Sequence, residues 1–273
     1  MFRVDKRKNH FRSFLGLAEL IYHNTVRHVR KGSRNAITGL FANVMQTLIF
    51  VAAFYVMMEV LGLRGNAVRG NFVIYLLTGI FLFLTHNKAM GAVMGAEGSA
   101  SAMMQHAPMN TAISIASAAL STLYIQVLSA TIVIFIVHVT WEPVVLYKPA
   151  QTVGMFLLAW GSGIAVGLVF LSIKPWLPGF VAIASTIYSR SNMLTSGKMF
   201  VANTMPGYIL QFFDWNPLFH CIDQSRGYAF INYNPHFSSL SYPLIVTIVF
   251  LTVGLMGEFY TRQYVSRSWS AGR

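Results

Sequence analysis

Residues 98–141 read GSASAMMQHAPMNTAISIASAALSTLYIQVLSATIVIFIVHVTW, 44 residues in a row without an Asp, Glu, Lys or Arg. A helix that crosses a bilayer needs roughly 20 such residues. Three further runs are equally free of charge: Asn35–Met58, Pro149–Ile173 and Gly227–Gly257. Of the 273 residues in the chain, 55% are hydrophobic and 10% charged, where a soluble domain carries about 25% charged residues. Such a chain lacks the polar surface to face water all round. The composition excludes a soluble globular protein and points to an all-α integral membrane protein.

Six transmembrane helices are expected, at about 38–62, 71–94, 109–139, 150–173, 178–199 and 240–261. The fifth, PGFVAIASTIYSRSNMLTSGK, is the most polar. In the fourth, GSGIAVG puts Gly163 and Gly167 one helical turn apart, which lets another helix approach closely, within the chain or across a dimer seam. An even number of spans puts both termini on one side. Residues 1–37 hold nine of the 20 Lys and Arg residues, and the tail adds Arg262, Arg267 and Arg273. With Lys88 and Lys174, 14 basic residues fall on the side of the termini; Arg64, Arg69, Lys148, Arg190, Lys198 and Arg226 fall opposite. The excess of Lys and Arg makes the terminal side cytoplasmic. It also accounts for most of the net charge of +12 through topology and attraction to anionic lipid heads, with no call for nucleic acid.

Ahead of the first span, Leu15, Leu17, Leu20, Ile21 and Val26 form a partial apolar stripe, with Arg27, Arg30 and Arg34 on other faces. The pattern fits an amphipathic helix lying in the inner headgroup layer, ended by Gly32; a disordered basic tail is the alternative. About 35 residues precede the first apolar run, too many for the basic region of a cleavable signal peptide. The single cysteine, Cys221, allows no intrachain disulfide and reads as a small buried residue. The eight histidines are scattered, so no metal site is expected. SGK at Ser196–Lys198 lacks the glycine of a phosphate-binding loop. No catalytic residues stand out.

Between the fifth and last spans, DWNPLFHCIDQSRGYAF (214–230) is too interrupted to cross a membrane. Pro217 suits the first turn of a short helix and Asn216 its N-cap. Asp223 and Arg226, three apart, are spaced to pair on one helix face. Polar backbone and side chains at membrane depth need protein or water around them, so residues 200–239 are expected to form short re-entrant helices at a cavity or pore mouth. Arg190 is costly inside a span, and either faces a cavity or snorkels to the outer interface.

WNPLFHCIDQSR (Trp215–Arg226), just before the last span, resembles a block in the permease subunits of type 2 ABC exporters, in particular those that export capsular polysaccharide. Trp215, Asn216, Pro217, Leu218 and His220 match that block, and Asp223 with Ser225–Arg226 continues it. The basic residues around Gly32 and the glycine and small-residue spacing of NKAMGAVMGAEGSASAMMQHAPMNTAISIASAAL (87–120) agree, so the resemblance covers about residues 15–265. The chain departs from the family at Asn43 and Val44, where a Glu–Pro pair is common, and in its nearly uncharged coupling segment.

The resemblance implies a cytoplasmic basic tail and interface helix over 1–37, a six-helix transmembrane domain over 38–265, and a cytoplasmic tail over 266–273. It implies a bacterial inner-membrane location and a working unit of two copies of this chain with two ATPase subunits. ATP and Mg would be bound by the ATPase, and no cofactor by this chain. A periplasmic or outer-membrane export partner and membrane lipids complete the set. The implied cargo is an acidic, lipid-linked capsular polysaccharide; O-antigen, teichoic acid or another lipid-linked glycan is the alternative. A membrane-embedded enzyme modifying glycans or lipids is a further reading, and would need convergent acids or histidines in the spans. The coupling helix falls at about 97–108, with Glu97, Ser99, Met103, Met104, Gln105, His106 and Pro108 as ATPase contacts; the other reading is an ordinary connecting loop. Arg27, Arg30 and Arg34 would mark the interface helix. The pore or its mouth would draw on Tyr55, Tyr188, Arg190, Trp215, Asn216, Pro217, Phe219, Asp223 and Arg226, with Phe50, Phe54, Phe81 and Phe83 as further aromatic faces for sugar rings and Asn192 as a hydroxyl partner.

Overall fold

The computed structural model describes residues 10–31, 36–60, 62, 71–96, 110–141 and 143–271, with backbone alone for 10–14, 30, 31, 36 and 265–271. The segment Glu97–Pro108 and Arg34 therefore lie outside the described residues, as does the side chain of Arg30. The helices are α1 (His10–Lys31), α2 (Ala36–Val60), α3 (Phe72–Met94), α4 (Thr111–Thr140), α5 (Pro149–Ile173), α6 (Pro178–Thr195), α7 (Gly207–Leu210), α8 (Pro217–Ala229) and α9 (Ser241–Ala271), with a 3₁₀ turn at Ala202–Thr204. Every element among the described residues is helical. Local chemistry sets several starts. The Asn71 side chain accepts from the Val73 and Ile74 amides to cap α3, and Asn110 accepts from Ala112 to cap α4. Pro149, Pro178 and Pro217 occupy first turns, where a missing N–H costs nothing.

Five segments are long and apolar enough to cross a membrane: Ile37–Val60, Phe72–Met94, Thr111–Thr140, Pro149–Ile173 and Ser241–Tyr264. The expected fifth span, 178–199, is not among them. Its helix, α6, stops at Thr195, and Ser185, Ser189, Arg190 and Asn192 dilute its apolar character. It stops there because Gly197 turns the chain with φ +69°, a conformation other residues enter at a cost.

The direction of each helix follows from its contacts. On α2 and α3, Lys88 donates to Asn43 near one end, and the Tyr55 and Phe72 rings lie 5.8 Å apart near the other, so the two are antiparallel. α5 runs parallel to α3. A Cβ added at Gly163 would sit 2.3 Å from the His86 carbonyl oxygen, and one at Gly167 would sit 2.7 Å from that of Met90. α9 runs parallel to α5, with Gly254 against Leu168 and Gly257 against Ser172. The chain must therefore return along the bundle between α5 and α9. α6 makes most of that return, antiparallel to α3: Tyr188 meets His86, and Lys198 lies against Gly79. At 1.5 Å per residue its 18 residues rise about 27 Å.

One end of the bundle gathers the start of α2, the start of α4 and the ends of α3, α5 and α9. Lys174 donates to the Met94 carbonyl there, Arg262 to the Asn110 side chain, and Trp176 to Thr261. α1 packs on the first half of α4, where Ser117 donates to the Ile21 carbonyl. Leu15, Leu17 and Leu20 on α1 stay exposed, the apolar stripe read from the sequence. The opposite end is closed by a cap built from residues 196–240. α3 is the central helix, its residues Ile74–Leu84 almost wholly buried, while α2, α4 and α9 expose apolar faces outward.

Candidate functional site

The cap is built around α8. Asn216 does double work at its start. Its Oδ1 accepts from the Leu218 amide at 2.9 Å, and its Nδ2 donates to Asn192 Oδ1 at 2.9 Å and Thr195 Oγ1 at 2.8 Å. Asn216 thus caps α8 and ties it to the last turn of α6, as the Asn216–Pro217 pair predicts for the helix start. At the other end of α8, the Ala229 and Tyr228 carbonyls accept from the Tyr147 and Lys148 amides before α5.

Arg226 is 1% exposed. Its guanidinium donates to three carbonyls of the turn after α6: Gly197 (2.9 Å), Lys198 (2.7 Å) and Phe200 (2.7 Å). The Tyr75 ring of α3 lies beneath it, 4.0 Å from centroid to guanidinium carbon. A cation here complements the carbonyl end of α6. Gly79 makes room for this, since a Cβ there would come within 3.0 Å of both Arg226 and the Lys198 carbonyl. Asp223, also 1% exposed, accepts from the Tyr233 hydroxyl and from Ser238 Oγ at 2.6 Å. Burial, and after it the Asp223 carboxylate, pushes the Tyr233 phenol well above its ordinary range, so that it keeps the proton it donates. The expected Asp223–Arg226 pair does not form. Each side chain is drawn to groups supplied by distant parts of the chain.

One further placement differs from the sequence reading. Trp215 is 52% exposed, but Phe219, expected with it at the pore or its mouth, is wholly buried against Phe213 and Gly197, whose missing Cβ leaves space for the ring. His220 is also buried. The Ser239 amide donates to its Nδ1 at 3.1 Å, so Nε2 carries the proton and donates to the Asp214 carbonyl at 2.7 Å. Cys221 is fully buried, a small core residue.

Between the cap and the opposite end, α2, α3 and α6 enclose an open cavity of about 500 Å³. It runs from Met94 up to Phe50 and Phe83, two of the aromatic residues singled out in the sequence. Lys88 on α3 and Arg190 on α6 both line it, together with Gln46, Asn87, Ser185 and Ser189. Arg190 thus faces a cavity. It lies twelve residues, about 18 Å of helix, beyond Pro178. Lys88 donates to Asn43, one of the two positions at which the resemblance fails. Tyr188 turns the other way. Its hydroxyl meets His86 Nε2 at 3.0 Å, and His86 Nδ1 meets Ser162 Oγ at 2.9 Å, which links α6, α3 and α5. Tyr55 packs on Trp141 and Phe72 at the cap end, away from this cavity.

The sequence reading passed over Lys198. It is 2% exposed, and its ammonium lies 3.3 Å from the Phe83 ring centroid, 5.3 Å from that of Phe54 and 5.9 Å from that of Phe50. No hydrogen-bond acceptor reaches it among the described residues. At the end of the expected fifth span, 178–199, it read as a charge on the outer surface. The signal for a buried one was the Ser–Gly before it, a turn that folds the chain back into the bundle.

Fold and site together define a multi-pass helical membrane protein with a polar, cationic cavity between its helices. No protein-family model matches the chain. It is similar to the "Polysialic acid transport protein KpsM" of Escherichia coli, 25% identical over 185 residues, which covers 68% of this chain and 71% of that protein.

Proposed function

We propose that this chain is the transmembrane subunit of an ATP-driven exporter that carries an acidic, lipid-linked capsular polysaccharide across the bacterial inner membrane. It would act as a homodimer with two ATPase subunits that bind ATP and Mg, the segment Glu97–Pro108 making the ATPase contact. The similarity to a polysialic acid transport protein carries this reading. The Trp215–Arg226 block and the cavity lined by Lys88 and Arg190 support it, since a polyanion needs a cationic path. Purification with the ATPase encoded beside it tests the reading. Stable co-elution is expected, with ATP hydrolysis stimulated by the acidic glycan; a chain that elutes alone and leaves hydrolysis unchanged would sink it.

Six crossings by α2, α3, α4, α5, α6 and α9 fit this function, with the cap entering the outer leaflet as a re-entrant segment. The parallel α5 and α9 support a return crossing by α6. The basic residues fit better than their raw count. Lys88, Arg190, Lys198 and Arg226 all sit inside the bundle or its cap. By position in the sequence, that leaves Arg64, Arg69 and Lys148 after the first and third spans, against nine in residues 1–37 and three in the tail. A cysteine at Ile231, 70% exposed in the cap, is expected to react with an impermeant maleimide added to spheroplasts. One at Lys174, exposed at the α1 end, is expected to react only after permeabilisation. Buried Cys221 adds little background. Reaction of both from outside would mean that α6 does not cross.

A further inference from the structure

The cavity between α2, α3 and α6 holds cations with nothing to balance them. Lys88 and Arg190 face it from opposing helices, and among the described residues no Asp or Glu lines it. Lys88 donates to a neutral amide, that of Asn43. The Arg190 guanidinium makes no hydrogen bond or ion pair among the described residues, and it is not held by packing, being exposed to the cavity. At the closed upper end, a third cation, Lys198, is 98% removed from solvent and rests only on aromatic faces, two of which, Phe50 and Phe83, belong to the cavity wall. Cations at membrane depth are expensive unless they meet a partner. Two lining one groove, with a third behind its aromatic wall and no Asp or Glu among the described lining residues, form a site complementary to an oxyanion. The guanidinium offers a fork to two oxygens, Lys88 adds a point charge, and Gln46 and Ser189 stand by as donors. Leu84, Met90, Met94 and Met193 make the remaining wall apolar, as an attached hydrocarbon would require.

We propose that this groove binds the anionic group, a phosphate or carboxylate, of the exported amphiphile, clamped between Lys88 on α3 and Arg190 on α6. The cargo enters at the Met94 end and rises toward Phe50 and Phe83. Lys198, behind those rings, extends the positive field to the cap. The inference rests on the exporter reading for the identity of the amphiphile, but the site itself is tested by binding alone.

The experiment uses the purified full-length chain in neutral detergent, with lysophosphatidic acid as probe and an uncharged monoacylglycerol of the same chain length as control. Lys88→Gln and Arg190→Gln are each expected to weaken binding of lysophosphatidic acid by roughly tenfold, the loss of one charge-assisted contact. Monoacylglycerol binding should be unchanged, as should binding by Lys174→Gln at the exposed α1 end. Arg190→Lys should recover part of the loss. Competition identifies the group held: displacement by an acidic oligosaccharide points to carboxylates, and displacement by millimolar inorganic phosphate points to the phosphate. Wild-type affinity in both Gln variants, equal losses for monoacylglycerol, or displacement by neither competitor would overturn the proposal. Unaltered probe binding alongside intact ATPase co-elution would sink this site and leave the exporter reading standing. The reverse pattern would sink the reading and keep the site.

Discussion

Replacing Arg226 by methionine is expected to lower the thermal midpoint of the purified chain by on the order of 10 °C and to reduce its level in membranes. The methionine fills similar volume, so the loss is that of the guanidinium. Without it the carbonyls of Lys198 and Phe200 lose their only donor among the described residues, and that of Gly197 keeps only the Phe200 amide at 3.3 Å. A buried acceptor left unpaired costs roughly 1–3 kcal/mol. The three share one donor group and are not additive, and relief of the guanidinium's own burial offsets part of the loss. A net of about 3 kcal/mol remains, which for a chain of this size is on the order of 10 °C. The contact to the Tyr75 ring is lost as well. Arg226→Lys is expected to recover less than half of the loss, because an ammonium cannot fork to three carbonyls from one position. The check is thermal unfolding in detergent. A midpoint for Arg226→Met within 2 °C of wild type (roughly 1 kcal/mol or less) would show that the cap does not depend on this clasp.

The clasp also shows what a sequence can and cannot disclose. Helix existence was legible wherever the signal is local: uncharged runs marked four of the long helices, and Asn216–Pro217 marked the start of α8. Side-chain partners were not. Asp223 and Arg226 lie three apart, and spacing alone makes them a pair. In the fold Arg226 reaches back to residues 197–200 and Asp223 forward to Tyr233 and Ser238, because both side chains are buried and each charge finds donors or acceptors on a different neighbour. Depth was illegible for the same reason. Lys88 and Lys198 were assigned to membrane surfaces by their position along the chain, and Arg190 was left between a cavity and the outer interface, yet α6 ends level with the middle of α3 and the Gly197 turn carries Lys198 inside. The residues that make α6 polar include Ser185, Ser189 and Arg190, which line the cavity. The ATPase contact, read at Glu97–Pro108, falls outside the described residues.

Gly163→Ala is expected to be the most damaging single-methyl addition in the chain. The sequence left GSGIAVG open between packing inside the chain and a seam between two copies. The structure puts it against α3. A methyl at Gly163 would lie 2.3 Å from the His86 carbonyl oxygen and 3.0 Å from its Cα. These are backbone atoms of the central helix, which no side-chain rotation can move aside. The same helix turn carries the Ser162–His86–Tyr188 chain, so parting α3 and α5 also stretches two hydrogen bonds. Overpacking in a tight core costs about 1–3 kcal/mol where side chains can yield. Here they cannot, so the cost is expected at or above the top of that range. Gly167→Ala, 2.7 Å from the Met90 carbonyl oxygen, should follow closely. Gly161→Ala supplies the contrast. Only the Thr247 methyl comes near it, at 3.8 Å, an ordinary contact, and alanine is the better helix former. It should be neutral or slightly stabilising. Measured side by side in detergent, a steep loss at positions 163 and 167 with none at 161 supports parallel packing of α3 on α5. Equal tolerance at all three would mean that these helices do not approach as closely as their glycines permit, and the register that places Arg190 and Lys88 across one cavity would fall with it.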